Sequence, residues 1–361
     1  MLRYMLRFMF LMLFPMLSGA QQRIDHVIVV TTDGLRWQEL FTGMDSGIAV
    51  NSKFNQRDSA RIFKKYWAGN SEARRKLLLP FFWNTIATKG QVYGNRAYSN
   101  HVNTANKYRF SYPGYNEIFT GYPDTAINSN DLPDNPHVNV LEYINKQPSY
   151  KGRVVAFTAW KVFNQILNEK RSGFPVVAAF DTTPGKNLTA QQQLLNKMLP
   201  NSYKPWNEGE CLDVFTHYAA MSYLKSAQPS VLYIAYGETD EWAHAGQYRD
   251  YLNAAHQVDR WLAELWQFIQ TSPVYKNKTA LLITTDHGRG IRDKWTDHWT
   301  DVTGADELWV AVVAPGLPAK GEVKQSMQLY QEQFAQTIVN LLGFTFKADH
   351  PIADGLLPLL K

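Results

Sequence analysis

The chain has 361 residues, 45% of them hydrophobic, with 37 Lys and Arg against 32 Asp and Glu. That length and apolar content suit one large domain with insertions and an ample core. Arg3 and Arg7 sit at the extreme N-terminus, and without them 35 basic residues face 32 acidic ones, a balance that argues against binding a nucleic-acid polymer. Cys211 is the only cysteine, which excludes an intrachain disulfide and any zinc site built on cysteines.

Residues 1–20, MLRYMLRFMFLMLFPMLSGA, read as a signal peptide. Arg3 and Arg7 give a basic start, Phe8 to Leu17 form an apolar run too short for a comfortable span, and the small residues SGA precede Gln21. The competing reading is a membrane anchor. Ala20 stands where a lipoprotein would need cysteine. Cleavage leaves a single domain over residues 21–361 with no stable membrane span. A lone cysteine in an exported chain fits the bacterial periplasm or the extracellular space.

The remainder alternates strand and helix. HVIVVTTDG (His26 to Gly34) predicts a strand, and FFWNTIATKG (Phe81 to Gly90) a helix stopped by glycine. YNEIFTG (Tyr115 to Gly121) predicts a short helix, GRVVAFTAW (Gly152 to Trp160) a strand, and SVLYIAYGETD (Ser230 to Asp240) another. Ala254 to Thr271 has amphipathic helical spacing, and TALLITTD (from Thr279) and LWVAVVAPG (from Leu308) are strands. Near-continuous apolar strands separated by helices predict an α/β fold: a largely parallel central sheet with helices on both faces. Residues of about 45–80 and 173–210 read as surface insertions, each a candidate cap over an active site.

Three predicted strands end on aspartate: Asp33, Asp240 and Asp286. The carboxyl ends of such strands are where ligands bind. One aspartate there is commonly a helix cap. Three, with His244 four residues after Asp240, His287 directly after Asp286, and His298 downstream, point to a metal centre. Carboxylates packed at one sheet edge repel each other. A pair of divalent cations, roughly 3.5–4 Å apart, resolves the repulsion and clamps the entering and leaving oxygens of a displacement. Asp and His donors accept zinc, manganese or cobalt. Ser111, ahead of Pro113, Gly114 and an apparent helix, is the candidate nucleophile, with an N-cap serine as the alternative.

In that order, Asp33-Gly34, Ser111 before Pro113 with Thr120-Gly121 downstream, Asp240-x-x-x-His244, Asp286-His287-Gly288 and His298 make a series. The series resembles the alkaline phosphatase superfamily, in particular its type I phosphodiesterase/nucleotide pyrophosphatase branch. The resemblance implies an alkaline-phosphatase-like sandwich and two zinc ions. Asp33, Ser111, Asp286 and His287 would match one ion's ligands, and Asp240, His244 and His298 the other's. It implies hydrolysis of a small-molecule phosphoester through a phosphoseryl intermediate, with Asn128 or Asn130 at the place of the branch's phosphoryl-contacting asparagine and Lys107 and Arg109 as candidate holders of phosphate oxygens. The diesterase branch carries threonine as nucleophile in Thr-Phe-Pro-Asn-His, where this chain has Ser111-Tyr112-Pro113-Gly114-Tyr115, so mono- or diester preference stays open. Sulfatases of this fold need arginine at the place of Tyr115. The alternatives are a phosphonate hydrolase or phosphomutase on the same fold, and a non-catalytic, metal-stabilised protein that binds glycans or nucleotides.

Overall fold

The computed structural model describes residues 23–131 and 133–361, so the predicted signal peptide lies outside the described residues. Among the described residues, no helix is long and apolar enough to cross a membrane. The described residues form eleven strands: β1 (His26–Thr32), β2 (Gln91–Tyr93), β3 (Asn100–Asn103), β4 (Val154–Thr158), β5 (Val176–Ala178), β6 (Val231–Tyr236), β7 (Thr279–Thr284), β8 (Glu307–Leu308), β9 (Val310–Val313), β10 (Gly321–Glu322) and β11 (Met327–Tyr330). Eight of them form one sheet, in the order β10-β2-β9-β7-β1-β6-β4-β5. Strands β7-β1-β6-β4-β5 are all parallel to their neighbours, while β9 runs antiparallel to both β7 and β2. A smaller sheet, β11-β3-β8, stands beside it.

The parallel block is buried on both faces, which is why its strands read as unbroken apolar runs. Side chains alternate across a strand. Ile28 and Val30 of β1 join one core, shared with the helices at Trp37–Thr42, Asp213–Ala227 and Tyr248–Thr271. Val27 and Val29 join the other, shared with the helices at Ser111–Thr120, Val140–Asn145 and Gln333–Leu341. The amphipathic helix expected from Ala254 begins earlier, at Tyr248. Within residues 45–80, Ile48, Phe54, Ile62, Tyr66 and Leu78 are buried in the first core.

Behind the C-terminal sheet edge lies a fully buried ion pair. Arg36 Nε donates to Glu39 Oε2 at 2.7 Å, and Tyr248 OH donates to Glu39 Oε1 at 2.9 Å. Arg36 Nη1 also donates to the Gly290 carbonyl at 3.1 Å, which ties the exit of β1 to the loop after β7. Removing one partner leaves an uncompensated buried charge. Glu39→Ala is therefore expected to lower unfolding stability by about 3–5 kcal/mol in urea titration.

Candidate metal centre

The parallel strands deliver their chemistry at one edge. The register Thr32↔Tyr236 and Thr31↔Thr284 brings the ends of β1, β6 and β7 level. Asp33 follows β1 directly, and Asp286 and His287 follow β7. Asp240 differs from its predicted place at a strand tip. β6 stops at Tyr236, and Asp240 lies in the first turn of a helix at Glu238–His244. That helix puts Asp240 and His244 on one face, one turn apart. Ser111 is the first residue of the Ser111–Thr120 helix, whose N-cap is Phe110, so the serine is not itself the cap.

Two groups of side chains in this cluster could hold a metal ion: Asp33, Asp286 and His287, and Asp240, His287 and His298. His287 Nε2 lies 3.2 Å from Asp33 Oδ1, 3.5 Å from Asp286 Oδ2 and 3.7 Å from Asp240 Oδ1. His244 Nε2 is 3.1 Å from Asp240 Oδ2 and 2.9 Å from His298 Nε2. Ser111 Oγ stands 3.4 Å from His287 Nε2. Of the seven predicted ligands, Ser111 and His244 lie outside both groups, though the His244 ring stands 4.9 Å from that of His298.

Second contacts fix how these groups present themselves. His287 Nδ1 donates to the Gly288 carbonyl at 2.9 Å, and His298 Nδ1 to the Arg109 carbonyl at 3.2 Å. A carbonyl can only accept, so each neutral ring turns a bare Nε2 lone pair toward the cluster. Tyr115 OH donates to Asp33 Oδ2 at 3.0 Å, and the Gly34 amide to Asp286 Oδ1 at 3.1 Å. Asp33 Oδ1 and Asp286 Oδ2, both buried, are left without a hydrogen bond. Buried orphan acceptors are costly unless a cation or donor meets them. Two orphaned carboxylate oxygens and two imidazole lone pairs facing one another are what a cation would satisfy.

The electrostatics without a cation show the same tension. Burial and the neighbouring Asp240 raise the Asp33 carboxyl, and burial with Asp33 raises Asp286 well above the carboxylate range. Burial opposes a charged His287, yet Asp286, Asp33 and Asp240 outweigh it and hold that ring at about 9. Burial and then His287 hold His298 well below the usual imidazole range. Burial would raise Asp240, but His244 and Arg289 outweigh it and hold it low.

Gly114 allows the serine helix to reach this edge. A Cβ there would lie 2.5 Å from the Asp286 carbonyl oxygen. The helix N-terminus offers an anion less than its position suggested. Tyr112 N donates to Asn130 Oδ1 at 3.0 Å, and Pro113 has no N–H.

A cleft of about 250 Å³ opens over the cluster, lined in part by Ser111, Asn130, Trp160, Glu210, Glu241 and Trp299. Asn130 therefore reaches the site. Asn128 is exposed and does not line the cleft. Lys107 is exposed, with its ammonium 5.2 Å from the Tyr108 ring centre. Arg109 turns away, donating to the Thr300 carbonyl at 3.0 Å and lying 3.8 Å from Asp306. Sequence reasoning missed Arg289, whose guanidinium donates to Asp240, and Tyr115, which orients Asp33. DHGRG marks Arg289 in sequence only by closeness to His287. From the 173–210 segment, only Glu210 lines the cleft.

Residues 207–344 match the family model described as the Metalloenzyme superfamily, which spans Asp240, His244, Asp286, His287 and His298. No curated protein matches the chain. Among solved structures, the alkaline phosphatase PafA has a similar fold, with TM-score 0.59 and 11% identity over 94% of this chain and 99% of that one. A phosphonate monoester hydrolase from Agrobacterium radiobacter aligns with TM-score 0.58 and 12% identity over 93% of this chain and 77% of that one. The lipoteichoic acid synthase LtaP from Listeria monocytogenes aligns with TM-score 0.56 and 11% identity over 90% and 73%. At such identities the likeness is one of fold: a large, mostly parallel sheet flanked by helices.

Proposed function

We propose that this chain, with its metalloenzyme match over residues 207–344, is an exported metal-dependent hydrolase of small-molecule phosphoric esters. It would stand nearest the type I phosphodiesterase-like branch of the alkaline phosphatase superfamily. The observation that carries this reading is the Ser111 hydroxyl 3.4 Å from His287 Nε2, the nitrogen common to both candidate ligand groups. Two divalent ions, zinc before manganese or cobalt, would be held by Asp33, Ser111, Asp286 and His287 and by Asp240, His244 and His298. When bound they supply charge against the phosphoryl oxygens and lower the pKa of the serine hydroxyl.

The chain's own residues do the rest. Ser111 Oγ forms the bond to phosphorus as the ester oxygen leaves with its electron pair. Hydrolysis of the phosphoserine then returns the free hydroxyl. Tyr115 and the Gly34 amide hold Asp33 and Asp286 in place, and Arg289 holds Asp240. Asn130 has its oxygen on Tyr112 N, so its NH₂ is the group it can offer a phosphoryl oxygen. Trp160 and Trp299 wall the cleft. No binding of a nucleic-acid polymer is proposed.

The test is turnover of p-nitrophenyl phosphate and bis(p-nitrophenyl) phosphate. Prolonged chelation abolishes it and added zinc restores it; chelator-resistant turnover overturns the reading. Reloading also releases protons below about pH 9, because His287 must give up the proton its three aspartates hold. Zinc affinity therefore rises with pH up to that point, measured by calorimetry in buffers of different ionisation enthalpy.

A second reading, hydrolysis of phosphonate esters, is favoured by the similar folds of two phosphonate monoester hydrolases. It predicts faster turnover of a p-nitrophenyl phosphonate than of either phosphate ester.

A further inference from the structure

The serine helix, Ser111–Thr120, is buried along its whole length and carries an acid that the proposed chemistry does not use. Glu117 is fully buried. Burial lifts its carboxyl to about 7, and Glu332, also acidic, adds to the rise. N–H donors meet both of its oxygens. Oε1 accepts the Ala105 and Glu332 amides at 2.7 and 3.0 Å, and Oε2 accepts the Asn106 amide at 2.9 Å and Asn106 Nδ2 at 2.7 Å. An ionised carboxylate, which only accepts, satisfies this set best. A buried network whose members are satisfied holds its segments in one arrangement.

Two arms run from this carboxylate to the site. In the first, Asn106 spends its NH₂ on Glu117 and turns Oδ1 to the amides of Tyr108 and Arg109, at 3.1 and 2.9 Å. That turn holds Arg109 at a φ of 59°, in the left-handed region that non-glycine residues seldom adopt. The Arg109 carbonyl accepts from His298 Nδ1 at 3.2 Å, and Phe110 and Ser111 follow directly. In the second arm, the Glu332 amide is held by Glu117, and its neighbour Gln331 donates Nε2 to the carbonyls of Thr285 and Asp286 at 3.1 and 2.8 Å. The Asp286 carbonyl is the group against which Gly114 of the serine helix packs. One carboxylate thus joins the lead-in to the nucleophile, the hydrogen-bond partner of one proposed ligand and the backbone of another.

Resting on the hydrolase reading above, we infer that Glu117 is a positioning residue: through Asn106 and through Gln331 and Glu332 it fixes where Ser111 and His298 stand relative to Asp286 and His287. It does not line the cleft, so its effect is on geometry alone.

Asp259 provides a matched control. It is buried, is lifted by burial to about 7, and accepts the Phe81 and Phe82 amides at 2.8 and 2.7 Å. It belongs, however, to the helix Tyr248–Thr271, which packs in the first core rather than the second. Glu117→Gln keeps the shape of the side chain but turns an NH₂ toward N–H donors, and Asp259→Asn does the same to its own pair. Both variants are expected to lose stability. At saturating zinc and below both thermal midpoints, Glu117→Gln is expected to lower kcat for p-nitrophenyl phosphate by about 10- to 100-fold with KM unchanged. Its zinc affinity, measured by calorimetry, falls by a similar factor. Asp259→Asn keeps the kcat and the zinc affinity of the parent. Parent-like kcat in Glu117→Gln overturns the inference, as does an equal loss in Asp259→Asn, which would make the effect one of general stability. Should either variant fail to fold, Asn106→Ala decides. It leaves Glu117 its three backbone donors and removes only the arm to Arg109; the same fall in kcat is expected, and parent-like kcat overturns the inference. If the parent protein turns over no ester, the hydrolase reading fails, and the zinc affinities alone decide the role of Glu117.

Discussion

Ser111→Ala is expected to lower kcat/KM for p-nitrophenyl esters by at least about 10³-fold, while the thermal midpoint of the metal-free protein stays near that of the parent. Among the described residues, Ser111 is the only hydroxyl lining the cleft, and alanine removes it without disturbing the helix. Ser111 begins its helix and does not cap it, and its Oγ faces His287 Nε2 rather than a backbone amide. The substitution should therefore separate chemistry from folding. Acid quenching during turnover should trap a phosphoseryl residue at position 111 in the parent and none in the variant, by mass spectrometry of the peptide. Rates within a few-fold of the parent would move the nucleophilic role elsewhere.

Gly114→Ala carries the second large effect, and its sign is diagnostic. On propensity alone, alanine within a helix is favoured over glycine by about 1 kcal/mol. Here the added methyl would meet the Asp286 carbonyl oxygen at 2.5 Å and the Asp286 Cβ at 3.3 Å. That carbonyl is already held by Gln331 Nε2 at 2.8 Å, so it cannot step aside freely. The helix must lift instead. Overpacking of this kind costs about 1–3 kcal/mol, seen as a lower denaturation midpoint. Ser111 lifts with the helix, and a displacement of that order costs on the order of 10²-fold in turnover. A more stable, fully active variant would show that the close approach of helix and strand end does not set the geometry.

The parts of this arrangement that were legible in sequence share a physical cause. Strands buried on both faces must be apolar throughout, so β1, β6 and β7 announced themselves, and the polar residues at their ends stood out against them. Asp33, Asp286 and His287 lie where that contrast put them. Asp240 was misplaced because TYR-like apolar patterning cannot show where a strand yields to a helix. VLYIAY continues into GETD without a break, and only the D-x-x-x-H spacing hinted at a helical turn. The strands β2, β5, β9, β10 and β11 are short or run against the parallel grain. Of these only β9 lay within a predicted run, and its reversed direction follows from pairing that periodicity does not encode. Lys107 and Arg109 look like phosphate ligands in one dimension, but backbone turns send them toward Tyr108 and Thr300. The features found last, Glu210, Arg289 and Tyr115, depend on contacts across the chain that no local pattern records.

The position of β1 has a bearing on how the molecule comes into being. It is the first strand among the described residues, yet it ends up in the middle of the large sheet, hydrogen-bonded to β6 on one side and β7 on the other. Thr31 meets Tyr233 across 202 residues of intervening chain. Until β6 emerges both edges of this hydrophobic ribbon are bare, and one stays bare until β7 follows, the condition under which strands find wrong partners. Closure over such sequence distances is slow. Truncation anywhere before Thr279 should therefore yield an aggregate rather than a smaller native unit.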